Sequence, residues 1–315
     1  MCLLLLVWGG GFLKKDSPNL KTYVKKQTTS NINHTNQPND KNNIEPTNNT
    51  DEQNNYVPQE QDGSYLPDFV MEYYQNNKQA ANQVLSNDIK TIPSIIPAKK
   101  DGGVPVLYYH AVDDIINGVE ELFVSPAEFE QQMKYLKDNN YTVISFDELP
   151  MADKYKNPVI ITFDDGYEDN YTNAYPILKE FNFKATIFLC TNVIDKPQYL
   201  KKDQISNMSD LISIQSHTIS HTKLSTLKIG DLDKELEGSQ KILTDLTGKP
   251  VNVIAYPFGD YNKTVLQETK KYYSYAVTID KGFYYKNNDR YQIKRIYVPR
   301  ELDIKGFAEK INGIW

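Results

Sequence analysis

The chain has 315 residues, enough for one domain of about 200–250 residues with accessory segments. A formal net charge of −6 at pH 7, from 35 basic and 41 acidic side chains, argues against a nucleic-acid-binding surface, and no protein partner is implied by any motif. Only two cysteines occur, Cys2 and Cys190, which excludes a disulfide framework and a cysteine-type zinc site.

Residues 1–13 begin with the apolar run Met1 to Trp8, too short to span a bilayer as a helix. It reads as the remnant of a signal or membrane anchor, although its lysines, Lys14 and Lys15, follow the run instead of preceding it. Residues 14–63 are polar, and ten of the 25 residues from Asn31 to Asn55 are asparagine. Such a stretch buries too little apolar surface to offset chain entropy, so a disordered linker is expected. Residues 64–103 carry a weak helical pattern (Phe69, Tyr73, Ala80, Val84) and then Pro93 and Pro97, a stalk or docking segment. An apolar start followed by a long linker predicts an extracellular or cell-surface protein tethered through its N-terminus. The folded domain is expected over residues 104–315.

From Val104 the pattern alternates between strand and helix. Val104–Tyr109 reads as a strand ending at His110. Ser125-Pro126-Ala127-Glu128 is a capping box with proline at the first helical position, opening a helix that buries Phe129, Met133 and Leu136. Strands follow at Tyr141–Phe146 and Pro158–Phe163, a helix at about Asn170–Glu180, and a strand at Ala185–Cys190 that makes Cys190 a buried free thiol. A helix near Lys202–Met208 precedes a strand at Leu211–Gln215. Leu232, Leu236, Leu243 and Leu246 then mark a long amphipathic helix stopped by Gly248. Strand Val251–Ala255, a helix near Thr264–Tyr272, strands Tyr275–Ile279 and Gln292–Val298, and a helix from Asp303 complete the set. Such alternation implies an α/β fold with a mainly parallel sheet, open or closed into a barrel.

The chemistry-bearing residues stand at strand ends. Asp164 and Asp165 follow the apolar strand Pro158–Phe163 directly, and Gly166 permits a sharp turn after them. Adjacent carboxylates repel, so a cation or a reaction gives them a use; the plainer alternative is a solvated Asp-Gly turn. His217 and His221 have the i, i+4 spacing that lets two imidazoles share one metal ion on a helical turn. Tyr256-Pro257-Phe258-Gly259 ends another strand and could present a backbone N–H and an aromatic wall. Arg295, inside a strand, needs a carboxylate partner if it is buried and none if it faces water. His110, the Asp164-Asp165 pair, His217 and the Tyr256–Gly259 turn all fall at the C-terminal ends of strands, where α/β barrels build their active sites.

Thr162-Phe163-Asp164-Asp165-Gly166-Tyr167, followed by Ser216-His217-Thr218-Ile219-Ser220-His221, resembles the first two motifs of the polysaccharide deacetylase domain (NodB-homology, carbohydrate esterase family 4). Tyr108-Tyr109-His110-Ala111-Val112 and Ala255-Tyr256-Pro257-Phe258-Gly259 are most similar to the branch containing poly-N-acetylglucosamine deacetylases. The resemblance spans about residues 104–300 and implies a distorted (β/α)7 barrel. It implies Asp165, His217 and His221 as ligands of a divalent metal, zinc first with cobalt or nickel as alternatives. It implies Asp164 as general base and the Phe258 N–H as oxyanion donor, with Tyr167, Tyr256, Pro257 and Phe258 along the sugar groove. Two positions depart from the family pattern. Ala255 stands where an arginine usually contacts the base, a place Arg295 could fill from another strand. No histidine follows His221, which leaves His110 as the candidate general acid.

The expected function is metal-dependent removal of N-acetyl groups from an N-acetylglucosamine-containing polysaccharide of the cell envelope, peptidoglycan or poly-N-acetylglucosamine. The alternatives are a non-catalytic carbohydrate-binding domain of the same fold and an O-deacetylase acting on another acylated glycan.

Overall fold

A computed structural model describes residues 102–315. The expectations for 1–13, for 14–63 and for 64–101 lie outside the described residues. Among the described residues, no helix is long and apolar enough to cross a membrane.

The strands are β1 (Val106–Tyr109), β2 (Ala111–Val112), β3 (Phe123–Val124), β4 (Thr142–Val143), β5 (Pro158–Phe163), β6 (Ala185–Leu189), β7 (Ile212–Ser216), β8 (Val253–Ala255), β9 (Tyr275–Lys281) and β10 (Ile293–Tyr297). The α-helices are α1 (Pro126–Asp138), α2 (Tyr175–Phe181), α3 (Lys202–Asn207), α4 (Ile229–Thr247), α5 (Lys263–Tyr272) and α6 (Ile304–Ile311). The main sheet runs β1-β10-β9-β8-β7-β6-β5, and β5 pairs back onto β1, so seven parallel strands close a barrel. Val106 lies opposite Ile160 and Tyr109 opposite Phe163 at that closure. β2 and β3 form a separate two-stranded pair in the segment after β1.

Local chemistry accounts for most of these elements. The α1 capping box forms in full: Ser125 Oγ accepts the Glu128 N–H at 3.1 Å, and the Glu128 carboxylate accepts the Ser125 N–H at 3.2 Å. Such a cap is worth about 0.5–2 kcal/mol. Phe129, Met133 and Leu136 are buried as their spacing predicts. Gly248 ends α4 in a left-handed conformation.

The strand expected after α1 and the helix expected after β5 differ from expectation. The strand expected over Tyr141–Phe146 shrinks to the two residues of β4, because β1 occupies the same edge of β5 from Ile160 onward and leaves only Pro158 and Val159 to pair. The helix expected from Asn170 starts as a π-helical turn, Asn170–Ala174, before α2. Pro176 has no N–H to continue regular α-helical bonding upstream, and a wide turn absorbs that loss. The turn also aims Asn170 and Asn173 inward, where their amides donate to the carbonyls of His110 (2.8 Å) and Val112 (2.7 Å).

Strand alternation then sorts side chains into two layers. Leu107, Tyr109, Val159, Ile161 and Phe163 join the larger core shared with the helices. Val106, Ile160, Phe188, Val253, Ala255, Val277 and Ile293 form a second cluster. Continuing in steps of two from that second set, β1 leads from Val106 through Tyr108 to His110. β5 leads from Ile160 through Thr162 to Asp164, and β10 from Ile293 to Arg295. The barrel interior is therefore apolar toward the strand starts and charged toward the strand ends.

Candidate active site

Asp164 lies almost wholly buried, at 3% exposure, and Arg295 is fully buried. Arg295 meets it with a two-pronged ion pair, Nη1 to Oδ1 at 2.8 Å and Nη2 to Oδ2 at 2.7 Å. Two further guanidinium N–H groups donate to the Thr278 carbonyl (2.8 Å) and Thr162 Oγ1 (3.2 Å), while Tyr108 covers the cation with its ring 4.3 Å away. Arg295 is thus a buried partner of the first carboxylate, and the water-facing alternative is set aside. Burial by itself would raise the Asp164 pKa, but the guanidinium overrides it and holds the carboxyl down at about 2.

Asp165 would point out of the barrel if β5 continued its alternation. It adopts φ 70° instead, and Gly166 follows at φ 82°. This reversal brings the second carboxylate back to the same face, against the histidines. Asp165 Oδ1 is 3.4 Å from His217 Nε2 and 3.3 Å from His221 Nε2.

The helical turn expected to carry His217 and His221 is absent: the segment is an irregular loop with Thr218 at φ 67° and His221 at φ 56°. Its four consecutive N–H groups are each captured by a side chain. Ser216 Oγ takes that of Thr218 (3.1 Å), the Glu235 carboxylate takes those of Ile219 (2.8 Å) and Ser220 (3.0 Å), and Thr218 Oγ1 takes that of His221 (3.1 Å). Side-chain capping replaces helical bonding, and the two imidazoles still converge, with ring centroids 4.8 Å apart.

Asp165, His217 and His221 form a group able to hold a metal ion, their ligand atoms lying within 4.8 Å of one another. His217 Nδ1 sits 2.8 Å from the Ala255 carbonyl, which assigns the proton to Nδ1 and leaves the Nε2 lone pair facing Asp165. Burial would lower the His217 pKa, yet Asp165 and Asp164 raise it above the ordinary value. The carboxylates thus favour positive charge at this point, so the residues present fit a divalent cation.

His110 closes the site from the end of β1. Its ring is flanked edge-on by Tyr108 and Tyr297, and its buried Nδ1 has no hydrogen-bond partner. Burial lowers the His110 pKa, while Asp164 and Asp165 pull it back upward.

The aromatic assignments need one correction. Tyr256 is fully buried and donates its hydroxyl to the Tyr291 carbonyl at 3.2 Å, and Pro257 is buried beside it, so neither can line a sugar groove. They anchor the turn from below, because the alternation of β8 drives Tyr256 into the core. Phe258, at φ 59°, is 53% exposed and packs against the His221 ring at 4.5 Å. Tyr167 is half-buried and stacked on Tyr199 at 5.4 Å, beside a cavity of about 270 Å³ lined by residues including Asp113, Phe123 and Gln198.

Residues 152–277 match the polysaccharide deacetylase family. Over 226 residues, 70% of this chain and 80% of the relative, the chain is 34% identical to YxkH of Bacillus subtilis, named as a candidate polysaccharide deacetylase. The chain belongs to the polysaccharide deacetylase family. A crystal structure of a polysaccharide deacetylase from Bacillus cereus matches this deacetylase with a TM-score of 0.64 at 39% identity, covering 71% of this chain and 74% of that one. The poly-beta-1,6-N-acetyl-D-glucosamine N-deacetylase of Staphylococcus aureus is 30% identical over 200 residues, 57% of this chain and 69% of that protein. The seven-stranded barrel is the NodB-type fold, and the protein is a hydrolase of the carbohydrate esterase family 4 type.

In this deacetylase, Tyr108, Thr162 and Glu235 also support the site, a role their positions in the sequence had not indicated. Tyr108 and Thr162 precede His110 and Asp164 by two residues, so strand alternation could have found them. Glu235 gave no signal, since one acid among several on a polar helix face is unremarkable.

Proposed function

We propose that this polysaccharide deacetylase removes N-acetyl groups from an N-acetylglucosamine-containing polysaccharide of the cell envelope, with zinc held by Asp165, His217 and His221. One observation carries the reading: two carboxylates adjacent in sequence have opposite partners, Asp164 a buried arginine and Asp165 two imidazoles. That division leaves one acid for protons and one for a cation.

Bound zinc would polarise the acetyl carbonyl and lower the pKa of water from about 15.7 toward 7. Asp164 accepts the water proton. A carboxylate held at a pKa of about 2 is a weak base, and it passes the proton on readily. Arg295 keeps Asp164 ionised and fixes its orientation. The Phe258 N–H stabilises the oxyanion, a type of contact worth about 3–4 kcal/mol in other enzymes. His110 delivers a proton to the departing amine; burial lowers its pKa, which makes the imidazolium a strong donor once it has formed. Tyr167 and the exposed Phe258 ring flank the sugar. Cobalt or nickel could replace zinc in the same ligand set.

The similarity to the Staphylococcus aureus enzyme makes poly-β-1,6-N-acetylglucosamine the first polymer to try, and peptidoglycan the second. Such polymers lie outside the cell membrane, so the enzyme is proposed to act there, tethered through its N-terminus. The test is acetate release from both polymers and from chitin oligomers, with zinc, cobalt and nickel supplied separately. Metal-dependent release from one N-acetylated polymer is expected. Release from O-acetyl esters alone would make it an O-deacetylase, and polymer binding without release would make it a carbohydrate-binding domain.

A further inference from the structure

The metal-binding loop has an unusual support. Between His217 and His221 no regular helix fixes the backbone, and two of its residues hold left-handed conformations that non-glycine side chains rarely adopt. Something outside the loop must hold it. Its carbonyls are met from one side: those of Thr218 and Ile219 accept the N–H groups of Thr191 (3.2 Å) and Asn192 (3.1 Å).

Further support comes from a single face of α4. Glu235 reaches across with both oxygens, Oε2 taking the N–H groups of Ile219 and Ser220 and Oε1 taking the Ser220 hydroxyl at 2.6 Å. One turn further, a Cβ on Gly238 would fall 2.8 Å from the tip of the Ile219 side chain, so the absence of a side chain there lets helix and loop approach. Ser239, fully buried, meets Ser216 Oγ at 2.8 Å, the same oxygen that holds the Thr218 N–H. Positions i, i+3 and i+4 of one helix thus all bear on the loop.

We infer that Glu235 is a positioning residue for the metal site: through the Ile219 and Ser220 backbone it sets where His221 Nε2 lies relative to His217 and Asp165, and so sets metal affinity. The inference rests on the metal-site reading above. His221 depends on this support more than His217 does. His217 is anchored by its own ring contact to Ala255 and by its N–H to the Leu189 carbonyl at 3.1 Å, whereas the His221 N–H is held only from within the loop, by Thr218 Oγ1. Outer partners of this kind commonly change metal affinity by about 10–100-fold when removed.

The test is zinc titration of the metal-free protein against a competing chelator, which reads affinity without turnover. Glu235→Ala should weaken zinc binding by about 10–100-fold. Glu235→Gln keeps an oxygen for the two N–H groups and should stay within about threefold of the parent. Leu246→Ala, on the same helix but packed on the core, should lower the melting temperature and leave zinc affinity unchanged. At saturating zinc, Glu235→Ala should regain most of kcat with KM for the polymer unaltered. If Glu235→Ala does not fold, Glu235→Asp replaces it: the charge stays but the reach is one methylene short, and a loss of at least about tenfold is expected. Parental zinc affinity in a folded Glu235→Ala or Glu235→Asp would overturn the inference. Absence of zinc binding by the parent itself would instead overturn the metal site, a separate result.

Discussion

Arg295 and Asp164, 131 residues apart in sequence, meet as a buried bidentate pair inside the barrel. β10 brings the arginine to the inner face, and β5 brings the carboxylate, with β1 between the two strands. Desolvating two charges is costly, and here the fork geometry, the extra bonds to Thr278 and Thr162 and the ring of Tyr108 offset that cost. The pair restores, from a different strand, the arginine contact that Ala255 cannot make.

Removing one member should therefore be worse than removing both. Arg295→Met is expected to destabilise the fold by about 3–5 kcal/mol in urea denaturation, since it strands a buried carboxylate. The double variant Arg295→Met with Asp164→Asn should recover much of that stability and stay inactive. Full activity in Arg295→Met would end the positioning role.

Asp164→Asn and His217→Ala should fail differently. The first keeps the metal group intact and should lose about 10²–10⁴-fold in kcat with zinc content near the parental level, measured by acetate release and metal analysis. The second should lose both zinc and turnover. An active Asp164→Asn would remove the general base from the mechanism.

Gly166 lets the chain reverse after Asp165. A Cβ at this position would fall 2.1 Å from Leu189 Cδ1, and φ 82° disfavours any side chain. Leu189 is itself fully buried, so it has little room to give. Gly166→Ala should cost about 1–3 kcal/mol and lower zinc affinity by displacing Asp165, both readable from thermal shifts with and without zinc.

Asp169, outside the Asp165, His217 and His221 group, provides a pH prediction. Its Oδ1 accepts the Val112 N–H at 2.8 Å and the Asn170 amide at 3.0 Å, but burial, reinforced by Asp113, pushes its pKa up to about 7. The folded protein then holds a proton that the unfolded chain releases above pH about 4. Stability from this group is complete at low pH and is lost as pH rises from about 4 to about 7, with no further change above. Asp169→Asn keeps the acceptor oxygen and cannot ionise. Its melting temperature should exceed that of the parent at pH 7.5 and match it near pH 4; equal values at both would refute the shift.

Much of this molecule is legible in its sequence. The capping box at Ser125, strand Pro158–Phe163 and the stop at Gly248 follow from local rules: proline and glycine geometry, cap chemistry and apolar periodicity. The same periodicity puts His110, Asp164 and Arg295 on inward-facing positions once strand boundaries are known. It could not show that Tyr256 shares the core while Phe258 faces solvent, because a left-handed residue at 258 breaks the alternation.

The sequence by itself determined the alternation of strands and helices and the kinds of chemical groups at the strand ends, since these depend on neighbours within a few residues. Tertiary structure alone decided how those groups are paired. Closure of β5 onto β1 shortened β4, the register of β10 delivered Arg295 to Asp164, and α4 supplied Glu235 to a loop that has no helical bonds of its own. Each is a contact between residues far apart in the chain, fixed by barrel closure and by the need to satisfy buried charges and backbone N–H groups, and local pattern carries no record of either.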